Sequence, residues 1–212
     1  NQDMGLAAKV LRVANSPFYG QSRSIDSVER ALVLLGLDVV RNIAVASSLD
    51  PLFRGGQIGP GFHMRELWRH SLAVALLADS IAHQFVPEAR PQAFIAGLLH
   101  DIGILVAVHV LPNEFLQLVG DAAQYVDADR TLLAELELRH LGATHDELGA
   151  ALLQHWLIPE PLLRAAANHH HPSSDAGCAP SGAAWREDPL IALVALADRL
   201  STAVGQPISL DG

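Results

Sequence analysis

The sequence predicts an all-α protein, and two observations point to that fold class. Apolar residues recur every three or four positions rather than in alternation, and Ala and Leu dominate while runs of β-branched residues are short. Half of the 212 residues are hydrophobic and 17% are charged, with a mean hydropathy of +0.24, so the chain can bury a core. Prolines, glycines and capping residues then delimit each predicted helix.

Three short helices are predicted in the N-terminal part of the chain. The first covers Asp3–Ala14 and stops before Pro17, because the residue that precedes a proline is pushed out of the α region. The second covers Ser27–Leu35 and ends at Gly36, and the third covers Asp38–Leu49. Together these helices form a smaller N-terminal helical subdomain.

A proline and a glycine-rich stretch mark a boundary after these helices. Pro51 and the segment from Gly55 to Gly61 have the composition of a linker. The prediction is therefore an N-terminal helical part, residues 1–54, followed by a larger helical part, residues 55–212.

The larger part is predicted to be a series of helices separated by prolines and caps. A long helix is predicted from about residue 62 to 85, followed by one that ends at Leu99 and, after a turn at Asp101–Gly103, one that ends at Val110. After Pro112, helices are predicted over Asn113–Gln124, Thr131–His140 and His145–Trp156, and a further helix reaches residues 169–171. A loop at Pro172–Glu187 precedes the last helix. Thr144 and Glu147 form a capping box at one helix start. Asp188 and Pro189 open the last helix, which continues through Asp198.

The most apolar segment, Ala93–Leu111, has the length of a membrane span but is interrupted by polar residues. His100 and Asp101 lie at its centre, where an aspartate alone costs roughly 2.5 to 3.5 kcal/mol on a membrane-insertion scale. Gly103 further weakens a continuous helix. The segment therefore predicts two buried core helices that meet at a polar site, and no membrane association.

Charge and cysteine content narrow the function classes. Fourteen Lys and Arg against 23 Asp and Glu give a net charge of −9, which leaves no basic surplus to neutralise a phosphate backbone, so nucleic-acid binding is disfavoured. The single cysteine, Cys178, cannot form an internal disulfide or a paired-cysteine metal site. A cytoplasmic location is the expectation.

Several histidines and carboxylates fall where the apolar pattern predicts a buried face. His100 and Asp101 interrupt the most apolar segment, where each costs free energy unless it is paired or coordinated. His70 shares a helical stripe with Val74, and Glu66 precedes it by one turn. A hydrogen-bonded core histidine and a metal ligand both fit that pattern.

Two later helices carry the same kind of polar residue. Asp198 lies on one face with Ile191, and His145 begins a helix whose inward side is predicted to continue with Leu152 and Trp156. Taken singly, each residue is more often structural, but together they favour a buried site for divalent metal. Nitrogen and oxygen donors without thiolate suit Fe, Mn, Zn or Mg, and a carboxylate beside an imidazole can bridge two ions. Such a dinuclear site supports phosphoester hydrolysis.

The order of these motifs resembles the HD superfamily of metal-dependent phosphohydrolases. His70 comes first, then His100 and Asp101 in Gly-Leu-Leu-His-Asp-Ile-Gly, then Asp198 in Leu-Ala-Asp-Arg-Leu. More narrowly, the segment Leu6–Gly20 and the sequences Trp-Arg-His-Ser and Trp-Leu-Ile-Pro resemble the HDOD family. The resemblance covers nearly the whole chain and begins part way into the family's domain, so the sequence is expected to be a fragment.

Relatives of the HDOD family, the HD-GYP cyclic-di-GMP phosphodiesterases, imply a set of metal ligands. Eight residues fall on positions that can bind metal in those enzymes: Glu66, His70, His100, Asp101, His145, His169, His170 and Asp198. In an active domain, His100 and Asp101 are the expected catalytic residues. The next histidine, His171, is predicted to lie at a solvated helix end.

Two departures from those enzymes weigh against hydrolysis. The enzymes usually carry a lysine after His-Asp-Ile-Gly, where this chain has Ile104, and an apolar residue cannot replace an ammonium group as a phosphate anchor. They also carry Gly-Tyr-Pro after the paired histidines, where this chain has His-Pro-Ser-Ser from residue 171.

The resemblance therefore implies a bacterial signal-transduction module, an output or adaptor domain that retains an HD-type metal site. HDOD domains often follow receiver or other signalling domains, which implies protein signalling partners and a place in a response regulator. The alternative is a metal-dependent phosphohydrolase that acts on a cyclic dinucleotide or on another phosphodiester or nucleotide.

Overall fold

The chain divides into two compact units, residues 1–52 (unit 1) and residues 53–212 (unit 2). The computed structural model describes residues 2–20, 23–59, 62–125, 130–171 and 187–204. The division lies two residues before the predicted boundary between residues 54 and 55.

The described residues are mostly helical, and the predicted all-α fold class is confirmed. The helices are α1 (Gln2–Ala14), α2 (Val28–Leu35), α3 (Leu37–Leu49), α4 (Met64–Phe85), α5 (Arg90–Leu99), α6 (Ile102–Val110), α7 (Pro112–Ala122), α8 (Arg130–Leu141), α9 (His145–His155), α10 (Glu160–Asn168) and α11 (Pro189–Ala203), with single 3-10 turns at Pro17–Tyr19 and Asp50–Phe53. Within the described ranges no strand forms, apart from one isolated bridge between Gln57 and His63.

Prolines and a capping aspartate set the starts of two helices. Pro112 and Pro189 are the first residues of α7 and α11, where the missing N–H would have had no helical partner. The Asp188 carboxylate accepts hydrogen bonds from the N–H groups of Leu190 and Ile191, at 3.1 and 3.2 Å. The predicted start of the last helix is therefore confirmed.

Unit 1 packs α1, α2 and α3 around a small core of its own. The buried residues of that core are Val10, Ala14, Ala31 and Leu35. Asn15 fixes the turn after α1, because its Nδ2 donates to the carbonyl groups of Leu11 and Ile25 at 2.8 Å. Its Oδ1 accepts the N–H of Ile25 at 2.7 Å, so one side chain ties the end of the helix to the following loop.

One buried apolar cluster of unit 2 is built from α4, α5, α10 and α11. Its buried residues on these helices are Val74, Ala78, Ala82, Ala93, Ala96, Leu162, Ala165, Leu190, Leu193, Val194 and Ala197. Many of them are alanines, whose small side chains let helices approach closely. At Gly97 of α5, a Cβ would come within 2.8 Å of the Cα of Ala75 on α4, so the two backbones are in contact there.

A second backbone contact joins α6 to α9. A Cβ at Gly103 would overlap the carbonyl oxygen of His145 and come within 2.7 Å of the backbone nitrogen of Gly149. Only glycine fits at that position without a shift of one helix. The contact places the first turn of α6, which follows Asp101, against the first turn of α9.

The apolar segment predicted to form two core helices does so. α5 ends at Leu99 and α6 begins at Ile102, with His100 and Asp101 at the junction. The segment Arg90–Val110 is long and apolar enough to cross a membrane, and 78% of its apolar window is buried inside the protein. Core helices of globular proteins have the same character.

Candidate metal centre

The first of two side-chain clusters, the inner cluster, consists of His70, His100 and Asp198. These residues lie on α4, at the end of α5 and on α11, and their exposed fractions are 1%, 1% and 3%. His70 Nε2 lies 3.1 Å from Oδ1 of Asp198. One nitrogen or oxygen atom from each residue lies within 4.8 Å of the others, close enough to share an ion.

The second, the outer cluster, consists of His145, His169 and His170 together with Asp101. His145 is the first residue of α9, and the other two histidines directly follow α10. His145 Nε2 lies 2.9 Å from His170 Nε2, and one donor atom from each of the four residues lies within 4.8 Å of the rest. His169 is fully buried, whereas the side chains of His145 and His170 are 14% and 15% exposed.

Asp101 lies between the two clusters and presents one carboxylate oxygen to each. Oδ2 lies 3.1 Å from His100 Nε2 and 3.8 Å from His70 Nε2. Oδ1 lies 3.4 Å from His169 Nε2 and 3.7 Å from His145 Nε2. A single carboxylate is therefore within reach of both donor sets.

Backbone carbonyl groups orient two of the imidazoles. His100 Nδ1 donates to the carbonyl oxygen of Gly97, and His169 Nδ1 donates to that of Ala166, both at 2.8 Å. A neutral ring that donates through Nδ1 carries its lone pair on Nε2. Metal-binding histidines characteristically use one nitrogen for such a hydrogen bond and the other for the ion.

Glu137 of α8 orients a third imidazole with a carboxylate. Its Oε1 lies 2.6 Å from His145 Nδ1, and its Oε2 accepts the backbone N–H of His145 at 3.0 Å. Glu137 itself is only 5% exposed. Both carboxylate oxygens thus hold one residue, and the Nε2 atom of that residue is directed toward the outer cluster.

Several buried polar atoms in and beside the clusters have no hydrogen-bond partner in the part of the chain that the structure describes. They are Nε2 of His100, Nε2 of His169 and Oδ1 of Asp146, the residue that follows His145. Unsatisfied buried polar atoms cost free energy, and a bound cation would satisfy all three. The donors are imidazole nitrogens and carboxylate oxygens, a set that suits Zn, Fe or Mn. The clusters can therefore hold metal, as the sequence predicts.

Carboxylates and imidazoles shift one another's pKa values in this site. Burial by itself raises the pKa of Asp101, but the imidazoles of His100 and His169 beside it hold that pKa well below its usual range. Burial by itself lowers the pKa of His145, but the neighbouring carboxylates of Asp146 and Glu137 raise it well above its usual value. The Asp101 carboxylate consequently stays ionised, which is the state that binds cations.

The arrangement of the chain has counterparts among known proteins. The sequence matches the HDOD domain family over residues 1–172. This chain belongs to that family. A crystal structure of an HDOD domain protein of unknown function from Geobacter sulfurreducens is 32% identical, with a TM-score of 0.75 over 95% of this chain and 63% of that chain. The predicted family is confirmed.

Two further structures have names that describe a role. The MmoQ response regulator of Methylococcus capsulatus is 30% identical to this HDOD domain, with a TM-score of 0.56 over 93% of this chain and 72% of that chain. A candidate phosphohydrolase from Shewanella amazonensis is 25% identical, with a TM-score of 0.73 over 97% and 68%. An uncharacterised protein of Treponema pallidum is 24% identical over 81% of this chain, which spans only 32% of that relative.

The HDOD domain brings seven of the eight predicted ligands into the two clusters. They are His70, His100, Asp101, His145, His169, His170 and Asp198. The eighth, Glu66, belongs to neither cluster: its carboxylate lies 2.7 Å from the Arg69 guanidinium, and its side chain is 41% exposed. Arg69 lies one turn along α4 and pairs with Glu66 at the surface. The assignment of Glu66 as a ligand stays a prediction.

The inward face of α9 differs from the predicted one. Leu152 is only half-buried and Trp156 is 43% exposed, so the predicted continuation through these two residues is wrong. The buried face of α9 instead runs through Asp146, Gly149 and Leu153. The backbone contact with α6 explains the difference, because it turns Gly149 inward and sets the rotation of the helix.

Two acidic residues beside the outer cluster of the HDOD domain were not predicted from the sequence. Asp146 has its Oδ1 atom 3.1 Å from His145 Nε2, and Glu137 holds the same imidazole from the other side. A second His-Asp dipeptide in the sequence is the signal that marks Asp146. For Glu137 the signal is its spacing of four from Leu133, a buried residue on the same helix face.

A cavity of about 510 Å³ adjoins the outer cluster of the HDOD domain. Its lining includes six acidic residues: Asp101, Glu135, Glu137, Asp146, Glu147 and Asp198. Ile104 lies in the wall, and among the described lining residues none is Lys or Arg.

His171 lines the cavity as well and is exposed, as predicted for a helix end. The loop predicted at Pro172–Glu187 lies outside the described residues, apart from Glu187.

Proposed function

We propose that this HDOD domain is a bacterial signal-transduction module that keeps an HD-type metal centre without a phosphate anchor beside it. The observation that carries the proposal is the cavity wall, where carboxylates and the apolar Ile104 surround the outer cluster. A phosphodiester is negatively charged, and neighbouring carboxylates repel it unless basic side chains or cations offset them. No described lining residue supplies such a basic side chain.

The proposed centre holds two divalent ions with Asp101 between them. The support is that the two oxygens of this carboxylate face different donor sets. The inner ligands would be His70, His100 and Asp198, and the outer ligands His145, His169 and His170. Two neighbouring metal ions of this kind would supply Lewis acidity and lower the pKa of a bound water.

The proposed partners are signalling proteins, with an upstream receiver or sensor domain that controls the module. The MmoQ response regulator, 30% identical to this chain, supports a signalling role by its name. The metal centre would then stabilise the fold that a partner recognises.

A metal-dependent phosphohydrolase is the second candidate, and the cavity is the observation that favours it. The space of about 510 Å³ is lined by His145, His170 and Asp101, so a ligand that enters it meets the outer cluster. In that function His100 and Asp101 would hold the ions, and the substrate would be a cyclic dinucleotide or another phosphodiester or nucleotide. The candidate phosphohydrolase from Shewanella amazonensis, at 25% identity, supports this alternative.

Metal content tests the centre itself. Protein purified without chelator or nickel resin is measured by inductively coupled plasma mass spectrometry beside the double variant His100→Ala/Asp101→Ala. We expect two ions per chain in the wild type and none in the double variant. His155→Ala, which removes an exposed histidine of α9 outside both clusters, should leave the count unchanged. A folded wild type without metal would refute the proposed centre.

Turnover separates the two candidate functions. The metal-loaded protein, with Mn or Fe added, is assayed on phosphodiesters, cyclic dinucleotides and nucleotides. The signalling module predicts no turnover. Turnover that the double variant loses and His155→Ala keeps would establish the phosphohydrolase instead.

A further inference from the structure

Asp146 is a buried carboxylate whose burial is not explained by helix capping or by a hydrogen bond to His169. It is the second residue of α9 and is 8% exposed. Its Oδ1 atom has no hydrogen-bond partner among the described residues, although it lies 3.1 Å from His145 Nε2 and 4.0 Å from His170 Nε2. A buried carboxylate oxygen without a hydrogen-bond donor costs free energy unless something cationic meets it.

Helix capping does not explain why an acid is buried here. Acidic residues are common in the first turn of a helix, because they interact favourably with its N-terminal N–H groups. At α9, however, the capping box is made by Thr144 and Glu147: the Thr144 hydroxyl accepts from the N–H of Glu147, and the Glu147 carboxylate accepts from the N–H of Thr144 at 3.0 Å. Glu147 is exposed and Asp146 is buried, so the two neighbouring acids have different surroundings.

Hydrogen bonding to His169 does not explain it either. His169 Nδ1 lies 3.5 Å from Oδ1 of Asp146, but this nitrogen already donates its only hydrogen to the carbonyl oxygen of Ala166 at 2.8 Å. Among the described residues, the other charged-group atoms near Oδ1 are the Nε2 atoms of His145 and His170, at 3.1 and 4.0 Å. In the neutral form that binds metal, His145 carries its lone pair on Nε2, since its Nδ1 donates to Glu137.

The separations of these donor atoms suit one common ion. Bonds of about 2.0 to 2.2 Å to nitrogen and oxygen place neighbouring ligand atoms about 2.8 to 3.6 Å apart, depending on whether the site is octahedral or tetrahedral. His145 Nε2 lies 2.9 Å from Nε2 of His170, 3.1 Å from Oδ1 of Asp146 and 3.7 Å from Oδ1 of Asp101. The distance from Oδ1 of Asp146 to Nε2 of His170 is longer, at 4.0 Å.

The geometry points to Asp146 as a carboxylate ligand of the outer ion, in addition to the three outer histidines and the shared Asp101. This inference rests on the proposed metal centre and adds a ligand that the resemblance does not assign. Each cluster then has a carboxylate of its own, Asp198 inside and Asp146 outside, with Asp101 common to both. The additional oxygen donor favours Mn²⁺ or Fe²⁺ at the outer site, since carboxylates suit such harder ions.

Metal stoichiometry in matched variants tests the inference. Asp146→Asn keeps the shape of the side chain and removes its charge, while Glu147→Gln changes the neighbouring exposed acid and keeps a capping-box residue. Each protein is loaded with Mn²⁺, dialysed and measured for metal and for Mn²⁺ affinity by calorimetry. We expect two ions in the wild type and in Glu147→Gln. Asp146→Asn should retain one ion tightly, with the outer affinity at least about tenfold lower.

The failure of the metal centre and the failure of this inference are distinguishable. A wild type that binds no Mn²⁺ refutes the metal centre and the inference together. Two ions in Asp146→Asn with wild-type affinities refute only the ligand role of Asp146.

A spectroscopic variant covers the case in which Asp146→Asn does not fold. In Asp146→Cys loaded with Co²⁺, a thiolate in the ligand position gives a sulfur-to-cobalt charge-transfer band in the near ultraviolet. The wild type, which contains Cys178, serves as the control and should lack the band. Absence of the band in a folded variant that binds two Co²⁺ ions overturns the inference.

Discussion

The inner and outer clusters use the same donor types but are built by different parts of unit 2. His70 and Asp198 lie within α4 and α11, two helices that contribute to the apolar core, and both are almost fully buried. The outer histidines lie at the first residue of α9 and directly after α10, and two of them are partly exposed. Core packing and one hydrogen bond to His100 therefore fix the inner cluster, whereas several hydrogen bonds and a backbone contact fix the outer one.

The largest difference should appear in stability when one histidine is removed from each cluster. In metal-free protein, His70→Ala leaves the buried carboxylates of Asp101 and Asp198 with one imidazole fewer, and loss of a buried charge partner costs about 3 to 5 kcal/mol. His170→Ala removes a partly exposed ring and should cost about 1 kcal/mol or less. Urea unfolding in the presence of EDTA measures both. Equal losses would show that burial does not distinguish the clusters.

The backbone contact between α6 and α9 should come next in size. Gly103→Ala places a methyl group against the His145 carbonyl, and overpacking of this kind costs about 1 to 3 kcal/mol or more. Because α9 must shift, we also expect the outer ion to bind more weakly while the inner ion stays. Thermal melting and metal titration measure the two effects.

Gly120→Ala is the matched control for that substitution. A Cβ at Gly120 in α7 meets no atom within 4 Å, so the change should stabilise the helix by about 0.5 to 1 kcal/mol. If Gly120→Ala lowered the free energy of unfolding as well, the loss in Gly103→Ala could not be attributed to the contact with His145.

Glu137→Gln should weaken the outer ion alone. The amide keeps the shape of the side chain but removes the charge that holds His145 Nδ1, and loss of such a partner typically lowers metal affinity 10- to 100-fold. Calorimetric titration should resolve one weakened and one unchanged site. Equal weakening of both sites would contradict independent construction of the clusters.

Ser201→Ala should have the smallest effect. Ser201 Oγ lies 3.4 Å from His70 Nδ1, which is long for a hydrogen bond, and core packing already holds His70. The expected change in the binding free energy of the inner ion is about 0.5 kcal/mol or less, the lower limit for a neutral hydrogen bond. The same titration measures it, and a loss as large as that of Glu137→Gln would show that the inner imidazole also depends on its hydrogen-bonding partner.

The helices and the inner cluster could be predicted because local signals specify them. Prolines at 112 and 189 and the capping residues Thr144 and Asp188 fix helix starts through their own chemistry. His100 and Asp101 interrupt an apolar run, so burial follows from their neighbours in the sequence. Local chemistry and periodicity can be read from one sequence without knowledge of the partner helices.

The rest of the outer cluster depends on contacts between distant helices. Which face of α9 is buried follows from Gly103 on α6, and the apolar residues Leu152 and Trp156 indicate a different face from the one that carries Asp146. Glu137 is set beside His145 by the approach of α8 and α9, which no spacing within either helix encodes.

The contact at Gly103 should also restrain one end of α9 more than the other. The backbones meet at His145 and Gly149, whereas the helix continues to His155, about 9 Å further at 1.5 Å per residue. If the last turn of α9 moves, this contact should hold the first turn in place, so the candidate ligand His145 should move less than His155. We expect amide hydrogen exchange to be slow at Gly149 and to quicken toward His155; uniform exchange along α9 would rule out this restraint.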